Sequence, residues 1–410
     1  MGHDLGSKRL TKIAITDTGF CTPLGAAATE ILPRLLAGDS SAMVQSGDLL
    51  ALGATLVGEV STPLPAIPTN MAKFDCRNNQ LLLSAAEQIA PTVARAIASF
   101  GKDRIGVVLG TSTSGIAKGE GALAYHAEHG EFPADYHYFQ QELGSTSDFL
   151  RQYFELDGPC YTLSTACSSS AKVFASAKRL LNAKLCDMVI VGGVDSLCRL
   201  TVNGFDALES VSKGHCNPFS ANRDGINIGE GAALFTLVRG DGPVLLSGCG
   251  ESGDAHHISA PHPEGRGAID AMGAALRDAG LKPSDIDYIN LHGTATPKND
   301  AMESRAVCAV FEGHLPPCSS TKPLTGHALG AAGAIEAAFC VLLLSEGNRS
   351  LPPQVWDGIA DANDPQLPLV PMPSSKTQAD QGPIRHVMSN SFAFGGSNAS
   401  LIFSRGGQHD

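Results

Sequence analysis

The sequence has little charge for its length. Asp, Glu, Lys and Arg make up 17% of the 410 residues, against about 25% in a typical globular domain. So low a charged fraction predicts a large buried core and little disorder. The chain has no run of basic residues, and its formal net charge is −12. The basic stripe that is typical of nucleic-acid-binding proteins is therefore missing.

Cysteine motifs and long apolar runs are also missing. The eleven cysteines form no CxxC pair and no Cys/His cluster with zinc spacing. The first ten residues, MGHDLGSKRL, lack the apolar stretch of a secretory signal, so we expect free thiols in a reducing cytoplasm. The longest apolar run, residues 328–344, is interrupted by Glu336. It is too short to span a membrane and predicts a buried helix.

Short apolar runs alternate with helix-forming stretches along the chain. We interpret the runs as buried strands of a parallel sheet. They are residues 13–16, 104–110, 188–194, 233–238, 244–248, 288–293 and 400–404. The Ala- and Leu-rich stretches predicted as helices are 80–98, 168–183, 268–279 and 329–344. This alternation predicts βαβ units and a layered α/β fold.

One arrangement occurs twice: a reactive side chain beside the start of a helix of small residues. Cys167 opens one such helix, and His327 precedes another. We therefore expect two similar α/β halves. Residues 11–242 would carry the cysteine, and residues 243–405 would carry His327 together with His292.

Cys167 lies in TLSTACSSS, where small residues separate a strand from a helix. Unpaired N–H groups and the helix dipole at such a position favour a thiolate and can hold an oxyanion. A thiolate there can attack an acyl thioester. The alternative is a buried structural cysteine, as we expect for the other ten.

Two histidines lie beside glycine, His292 in LHGTATPKND and His327 in KPLTGHALG. Neutral imidazole N–H groups suit the stabilisation of an enolate oxygen. Lys322 and Glu303 are near them in sequence and could tune them through a buried ion pair or hydrogen bond. The alternatives are core histidines with satisfied nitrogens and unrelated surface charges. Phe394 precedes two glycines and could swing to gate a pocket.

Together these motifs resemble those of β-ketoacyl-acyl carrier protein synthases of the elongating class, which have the thiolase fold. The matching segments run from residues 18–25 to 389–403 and cover nearly the whole chain. The more specific ones are TACSSS, PFSANRDG with GEGA, HGTATPKND, KPLTGHALGAAGAIE and NSFAFGG. The resemblance implies a thiolase-like α/β fold of two similar halves, with layers in the order αβαβα.

The resemblance also implies roles for the site residues. Cys167 would accept the acyl group, and His292 and His327 would complete a Cys-His-His triad. Lys322 corresponds to the family lysine that pairs with a glutamate, for which Glu303 is the candidate.

The implied reaction is a decarboxylative Claisen condensation. A malonyl thioester loses CO2 and extends the acyl group on Cys167, which elongates a fatty-acid or polyene chain without a metal or redox cofactor. Phe394 corresponds to the family's gating phenylalanine. The backbone N–H groups of Cys167 and Phe394 correspond to the oxyanion hole.

The implied partners are acyl carrier protein, in acyl- and malonyl-loaded forms, and a second subunit in a homodimer or in a heterodimer with a homologue. Because carrier proteins are acidic, docking requires cations. By position in the family the candidates are Lys73, Arg77 and Lys213, with ordinary solvated charges as the alternative. Residues 118–148 differ from the housekeeping pattern and favour a specialised synthase, similar to those of aryl polyene clusters.

Three other readings stay open. A chain-length-factor-type subunit has this fold but usually lacks the nucleophile, whereas Cys167 and both histidines are present here. A thiolase needs a second catalytic cysteine near the C-terminus, and the last cysteine here is Cys340. A starter-unit synthase uses Cys-His-Asn, and histidine at both 292 and 327 speaks against it.

Overall fold

The computed structural model describes residues 11–373 and 383–407; the first ten residues, read above as lacking a secretory signal, lie outside this part of the chain. The strands are β1 (Ile13–Cys21), β2 (Met43–Ser46), β3 (Thr55–Gly58), β4 (Ile105–Gly110), β5 (Cys160–Leu163), β6 (Met188–Asp195), β7 (Ile228–Gly229), β8 (Gly231–Arg239), β9 (Val244–Gly253), β10 (Tyr288–Asn290), β11 (Cys318–Ser319), β12 (His386–Phe392) and β13 (Ser397–Arg405). The helices are α1 (Ala28–Ala37), α2 (Arg77–Phe100), α3 (Ile116–His129), α4 (Leu143–Tyr153), α5 (Ser169–Asn182), α6 (Arg199–Ala207), α7 (Arg266–Ala279), α8 (Pro297–Val310), α9 (Lys322–Thr325) and α10 (Ala332–Leu343).

Ten strands form one mixed sheet in the order β11-β10-β12-β13-β9-β1-β8-β6-β4-β5. Each half of this order repeats one topology. The second, third and fourth strands in chain order are parallel. The fifth pairs antiparallel with the fourth, and the first pairs antiparallel with the fifth. The halves meet where Ala14 and Ile15 of β1 pair with β9. The arrangement that occurs twice in the sequence therefore corresponds to a repeated topology.

The expectation of a parallel sheet is wrong for β1, β8, β9 and β13, which pair antiparallel. The apolar pattern could not separate the two cases. Helices cover both faces of the sheet, so the antiparallel strands also read as continuous apolar runs.

Helices and the two halves of the sheet alternate in five layers. The helices α5 and α10, one from each half, pack together in the central layer. There Phe174 of α5 contacts a phenylalanine from each half, Phe235 at 5.1 Å and Phe403 at 5.7 Å between ring centroids. On the outside, α2 covers one half of the sheet, and α7 with α8 covers the other. This is the predicted αβαβα order.

The apolar segment before residue 344 forms α10, which is buried along almost its whole length, Glu336 included. This confirms the predicted buried helix. Among the described residues, no helix combines the length and apolarity needed to cross a membrane.

Gly250 of β9 lies under the backbone of α7. A Cβ at this position would come within 1.9 Å of the carbonyl oxygen of Ala271. Because that oxygen belongs to the backbone of a helix, it cannot move away from the added methyl group. We expect Gly250→Ala to lower the free energy of unfolding by about 1–3 kcal/mol through overpacking, measured by denaturant unfolding. At Gly273, within α7, the new Cβ would meet only the end of the Arg277 side chain, at 3.2 Å. The control Gly273→Ala should leave stability unchanged or raise it, and equal stability of the two variants would contradict the prediction.

Candidate active site

Cys167 lies on a strained turn between β5 and α5. The preceding residue, Ala166, has a φ of +53°, a left-handed conformation that is uncommon outside glycine. Small hydroxyl residues brace the turn. The Ser169 hydroxyl donates to the Ala166 carbonyl oxygen (2.5 Å) and accepts from the backbone N–H of Thr165 (2.8 Å). The turn thus presents Cys167, 6% exposed, just ahead of the helix.

His292 and His327 reach this cysteine from the other half of the chain. His292 lies two residues after β10, and His327 follows α9 and Gly326. The Nε2 atom of His327 is 3.1 Å from Cys167 Sγ, and the rings of the two histidines meet edge to face at 5.4 Å. The sulfur and one nitrogen of each ring lie within 4.8 Å of one another. The structure therefore brings together the three side chains that the sequence singled out.

These three side chains are also the one group of three His, Cys, Asp or Glu residues in the described chain that is close enough to share a metal ion. A thiolate with two imidazoles is a possible zinc ligand set. The positive charge of Lys322 acts on all three groups, however, and would repel a cation bound there.

Phe394 is placed at the same point through both its backbone and its ring. Its backbone N–H and that of Cys167 itself both act to lower the pKa of the Cys167 thiol, so both donors face the sulfur. Its ring lies 5.5 Å from that of Phe205 on α6. Both rings line a cavity of about 280 Å³ that contains Cys167 and the two histidines. The sequence pattern missed Phe205, because its contact with Phe394 spans nearly half the chain.

Burial sets the protonation states of the site. It raises the pKa of the Cys167 thiol to about 11, although the charge of Lys322 and the N–H of Phe394 act to lower it. The N–H groups at the start of the helix favour the thiolate as expected, but desolvation is the larger effect and the net pKa is raised. Burial, and then the charge of Lys322, holds the pKa values of His292 and His327 well below their usual range. At neutral pH the site holds a thiol and two neutral imidazoles.

Lys322 is 2% exposed and makes a buried ion pair. Its Nζ donates to Glu336 Oε1 and to the carbonyl oxygen of His292, both at 2.5 Å. The predicted pairing with Glu303 is wrong, because α10 rather than α8 supplies the carboxylate. A glutamate inside an apolar helix requires a buried counter-charge, and this signal could have identified Glu336.

Glu303 acts on the backbone beside His292 instead. Its two carboxylate oxygens accept from the N–H groups of His292 (2.8 Å) and Gly293 (2.7 Å). Burial raises the pKa of this carboxyl to about 7. Glu303 therefore holds the turn that carries His292, without contact to its ring.

We expect Lys322→Met to change both stability and thiol reactivity. It leaves Glu336 buried without a counter-charge, which lowers the free energy of unfolding by about 3–5 kcal/mol. It also removes a charge that lowers the pKa of Cys167, so alkylation of this thiol by iodoacetamide at pH 8 should slow several-fold. Peptide-mapped mass spectrometry measures that rate.

The double variant Lys322→Met with Glu336→Gln is the matched control. It should regain much of the stability, because no unpaired buried charge remains, while the slow alkylation persists. Recovery of the parent alkylation rate would contradict the electrostatic role given to Lys322.

Comparison with known proteins agrees with this geometry. The family model described as Beta-ketoacyl synthase, N-terminal domain, matches residues 11–241, and the one described as Beta-ketoacyl synthase, C-terminal domain, matches residues 244–355. The chain is 30% identical to 3-oxoacyl-[acyl-carrier-protein] synthase 2 of Coxiella burnetii, over 96% of this chain and 98% of that protein. It is 38% identical to the mitochondrial 3-oxoacyl-[acyl-carrier-protein] synthase of Arabidopsis thaliana, over 63% of this chain and 59% of that protein.

Solved structures give the same result. A chain from the structure of a Xenorhabdus doucetiae ketosynthase in complex with its chain length factor superposes with a TM-score of 0.90. It is 46% identical to this chain, and the match covers 98% of this chain and 99% of that one. A β-ketoacyl synthase from Burkholderia phymatum superposes with a TM-score of 0.85 at 28% identity, over 96% and 99% of the two chains. The chain belongs to the β-ketoacyl synthase family and has its thiolase-like fold.

Proposed function

We propose that this protein is a 3-oxoacyl-[acyl-carrier-protein] synthase that elongates a fatty-acid or polyene chain held on Cys167. One observation carries the proposal: the Cys167 thiol lies 3.1 Å from an imidazole nitrogen of His327. A second neutral imidazole and two backbone N–H donors are placed around the same sulfur. This set of groups serves acyl transfer to a thiol and the stabilisation of an enolate.

The first step transfers the acyl group. As Cys167 Sγ attacks the carbonyl carbon of an acyl thioester, its proton moves to Nε2 of His327. The N–H groups of Cys167 and Phe394 hold the oxyanion of the tetrahedral intermediate. The carbon–sulfur bond to the carrier then breaks, and the departing thiolate takes up the proton. Because His327 starts neutral, it can act as the base.

The second step forms the new carbon–carbon bond. The bond from the malonyl methylene to its carboxylate breaks, CO2 leaves, and the electron pair forms an enolate. For this step His327 carries its ring proton on Nε2, the opposite tautomer to the one that acts as base in the first step. Its N–H and that of His292 hold the enolate oxygen, which neutral rings do without accepting its charge. The enolate carbon attacks the acyl carbonyl on Cys167. The bond to Sγ breaks, a β-ketoacyl thioester leaves, and the Cys167 thiolate takes up a proton from solvent, which balances the loss of CO2 from a carboxylate.

The alternative function is that of a non-catalytic, chain-length-factor-type subunit. Such a subunit requires no nucleophile with a base beside it. The intact and buried set of Cys167, His292 and His327 favours the catalytic reading.

The two steps can be separated by variants. Cys167→Ala should reduce acyl transfer and elongation to background, while malonyl decarboxylation stays measurable because both imidazoles remain. His327→Ala should slow decarboxylation roughly 100-fold or more, the usual effect of losing one oxyanion donor. Release of labelled CO2 and intact mass of the protein measure the two steps. Elongation at the parent rate by both variants would contradict these roles.

We also propose that a second chain of the same fold, identical or homologous, covers the surface formed by α3 and α6. Glu120 of α3 accepts from the backbone N–H groups at the start of α6, so the two helices form one surface. Leu123, Tyr138 and Leu200 are each about 60% exposed there, beside a groove of about 1150 Å³. Exposed apolar side chains grouped around a groove are typical of a protein interface.

Leu200→Asp should disrupt this association. Light scattering of the parent should give about twice the chain mass of 42.5 kDa or, with a homologous subunit present, a one-to-one complex. The variant should behave as a monomer, because a charge enters the apolar surface. Leu185, 55% exposed on the loop between α5 and β6, gives the control Leu185→Asp, which should keep the parent mass. A parent that is monomeric alone and with homologues would contradict the proposal.

The proposed carrier-protein docking residues differ in whether their charge is already compensated by an ion pair. Arg77 makes an ion pair with buried Glu230 at 2.5 Å, so its charge is already compensated. Lys73 and Lys213 are exposed and remain candidates. Lys298, which the sequence reading missed, is exposed and lines the cavity that contains the nucleophile. We propose that it adds a cation where the acyl-bearing group of the carrier protein enters the cavity.

All eleven cysteines are free thiols, which supports a reducing cytoplasm as the compartment.

A further inference from the structure

Asp195 is a buried carboxylate with no part in the reaction described above. It is the last residue of β6 and is 0% exposed. A buried carboxylate has to be compensated by hydrogen bonds or by a counter-charge. The groups that contact this one are hydroxyls and backbone N–H groups from two separate parts of the chain.

Five hydrogen bonds converge on its two oxygens. Oδ1 accepts from the Thr111 hydroxyl (2.6 Å), the backbone N–H of Ser112 (2.8 Å), and both the N–H (2.8 Å) and the hydroxyl (2.9 Å) of Thr113. Oδ2 accepts from the backbone N–H of Ala331 at 3.0 Å. One oxygen therefore holds the loop after β4 in the first half, and the other holds the start of α10 in the second.

Each of these segments continues to one member of the reacting pair. The Ser112 hydroxyl donates to the carbonyl oxygen of Ala166 at 3.4 Å, and Ala166 forms the strained turn before the nucleophile. Ala331 lies four residues after His327. At Gly330 a Cβ would come within 2.7 Å of the Ser112 nitrogen and 2.8 Å of Asp195 Oδ2. The two segments thus meet at the carboxylate with no space for an added methyl group.

We propose that Asp195 is a positioning residue that sets the distance between Cys167 Sγ and His327 Nε2 by tying the two halves of the chain together beside them. The inference rests on the proposed function, because it assumes that His327 acts on the cysteine.

The negative charge of Asp195 disfavours the Cys167 thiolate. The hydrogen bonds of Asp195, rather than its charge, are therefore what serves the site. The carboxylate raises the pKa of the Cys167 thiol. An asparagine would remove this effect but has only one acceptor oxygen. With that oxygen at the Oδ1 position, its NH2 group would face the N–H of Ala331, donor against donor. An amide therefore loses the link between the halves.

The test is a double-variant cycle on the rate of Cys167 acylation, followed by intact mass in a single turnover. Asp195→Asn should slow acylation about tenfold or more in the parent and cause no further loss in the His327→Ala background, since effects that act through one residue are not additive. The matched control Ile190→Val, a one-methylene change in the same strand, should leave the acylation rate of each background nearly unchanged.

Two further measurements separate positioning from general loosening. Alkylation of Cys167 by iodoacetamide at pH 8 should be faster in Asp195→Asn, because a nearby negative charge is lost, while buried Cys340 stays unmodified. Thr111→Val keeps the charge but loses the hydrogen bond to Asp195 Oδ1 and the one that the hydroxyl accepts from the N–H of Ser114, so it should slow acylation without speeding alkylation. If Asp195→Asn does not fold, Thr111→Val tests the positioning role in its place.

An equal slowing by Asp195→Asn in both backgrounds, or an Asp195→Asn protein that acylates at the parent rate, would overturn the inference. If the parent itself placed no acyl group on Cys167, the proposed function would fail along with it. If the parent is acylated but the effects of Asp195→Asn and His327→Ala are additive, only the positioning role is contradicted.

Discussion

The removal of Cys167 from water is the constraint on which the rest of the site depends. Desolvation acts in opposite directions on the two kinds of group: it raises the pKa of the thiol and lowers those of both imidazoles. The resting site is therefore neutral, and the nucleophile has to be generated by proton transfer over the 3.1 Å between Sγ and Nε2 of His327. This makes the separation between two atoms from different halves of the chain the decisive quantity.

The fold supplies that separation through its internal repeat. In each half a reactive side chain follows the end of a parallel strand, β5 for Cys167 and β10 for His292, and β1 pairs with β9 to join the halves. The two central helices, α5 and α10, start beside the nucleophile and beside His327. Two buried carboxylates then fix the details. Glu336 holds the ammonium group of Lys322 under the histidines, and Asp195 links the segments that lead to Cys167 and His327.

The sequence predicted most of the long strands, four of the helices and the central trio, but it did not predict α1, α3, α4, α6 or α8. The strands β1, β4, β6, β8, β9 and β13 and the helices α2, α5, α7 and α10 all lie where apolar runs and Ala-rich stretches indicated. The short strands β2, β3, β7 and β11 were missed, because two to four residues carry too little pattern. The strand β12 was also missed, because three consecutive polar residues interrupt the apolar ones in HVMSNSF. The division at residues 242 and 243 stays a prediction.

The misassigned contacts have a common physical origin. The resemblance made Glu303 the candidate partner of Lys322, whereas the ion pair with Glu336 depends on how α9 packs against α10. The contact between Phe205 and Phe394 and the five bonds of Asp195 join residues that are 82 to 189 positions apart. No local pattern reports such contacts. The thiol pKa depends on burial, which the position before a helix does not reveal.

The most direct test of the central claim is to locate the acyl group. The protein is incubated with an acyl-carrier thioester, digested, and mapped by mass spectrometry across its eleven cysteines. The account predicts one acylated peptide, the one that contains Cys167, and its loss on addition of a malonyl thioester as the elongated product leaves. An acyl group on another cysteine, or a stable acyl-Cys167 that malonyl thioester does not discharge, would contradict it.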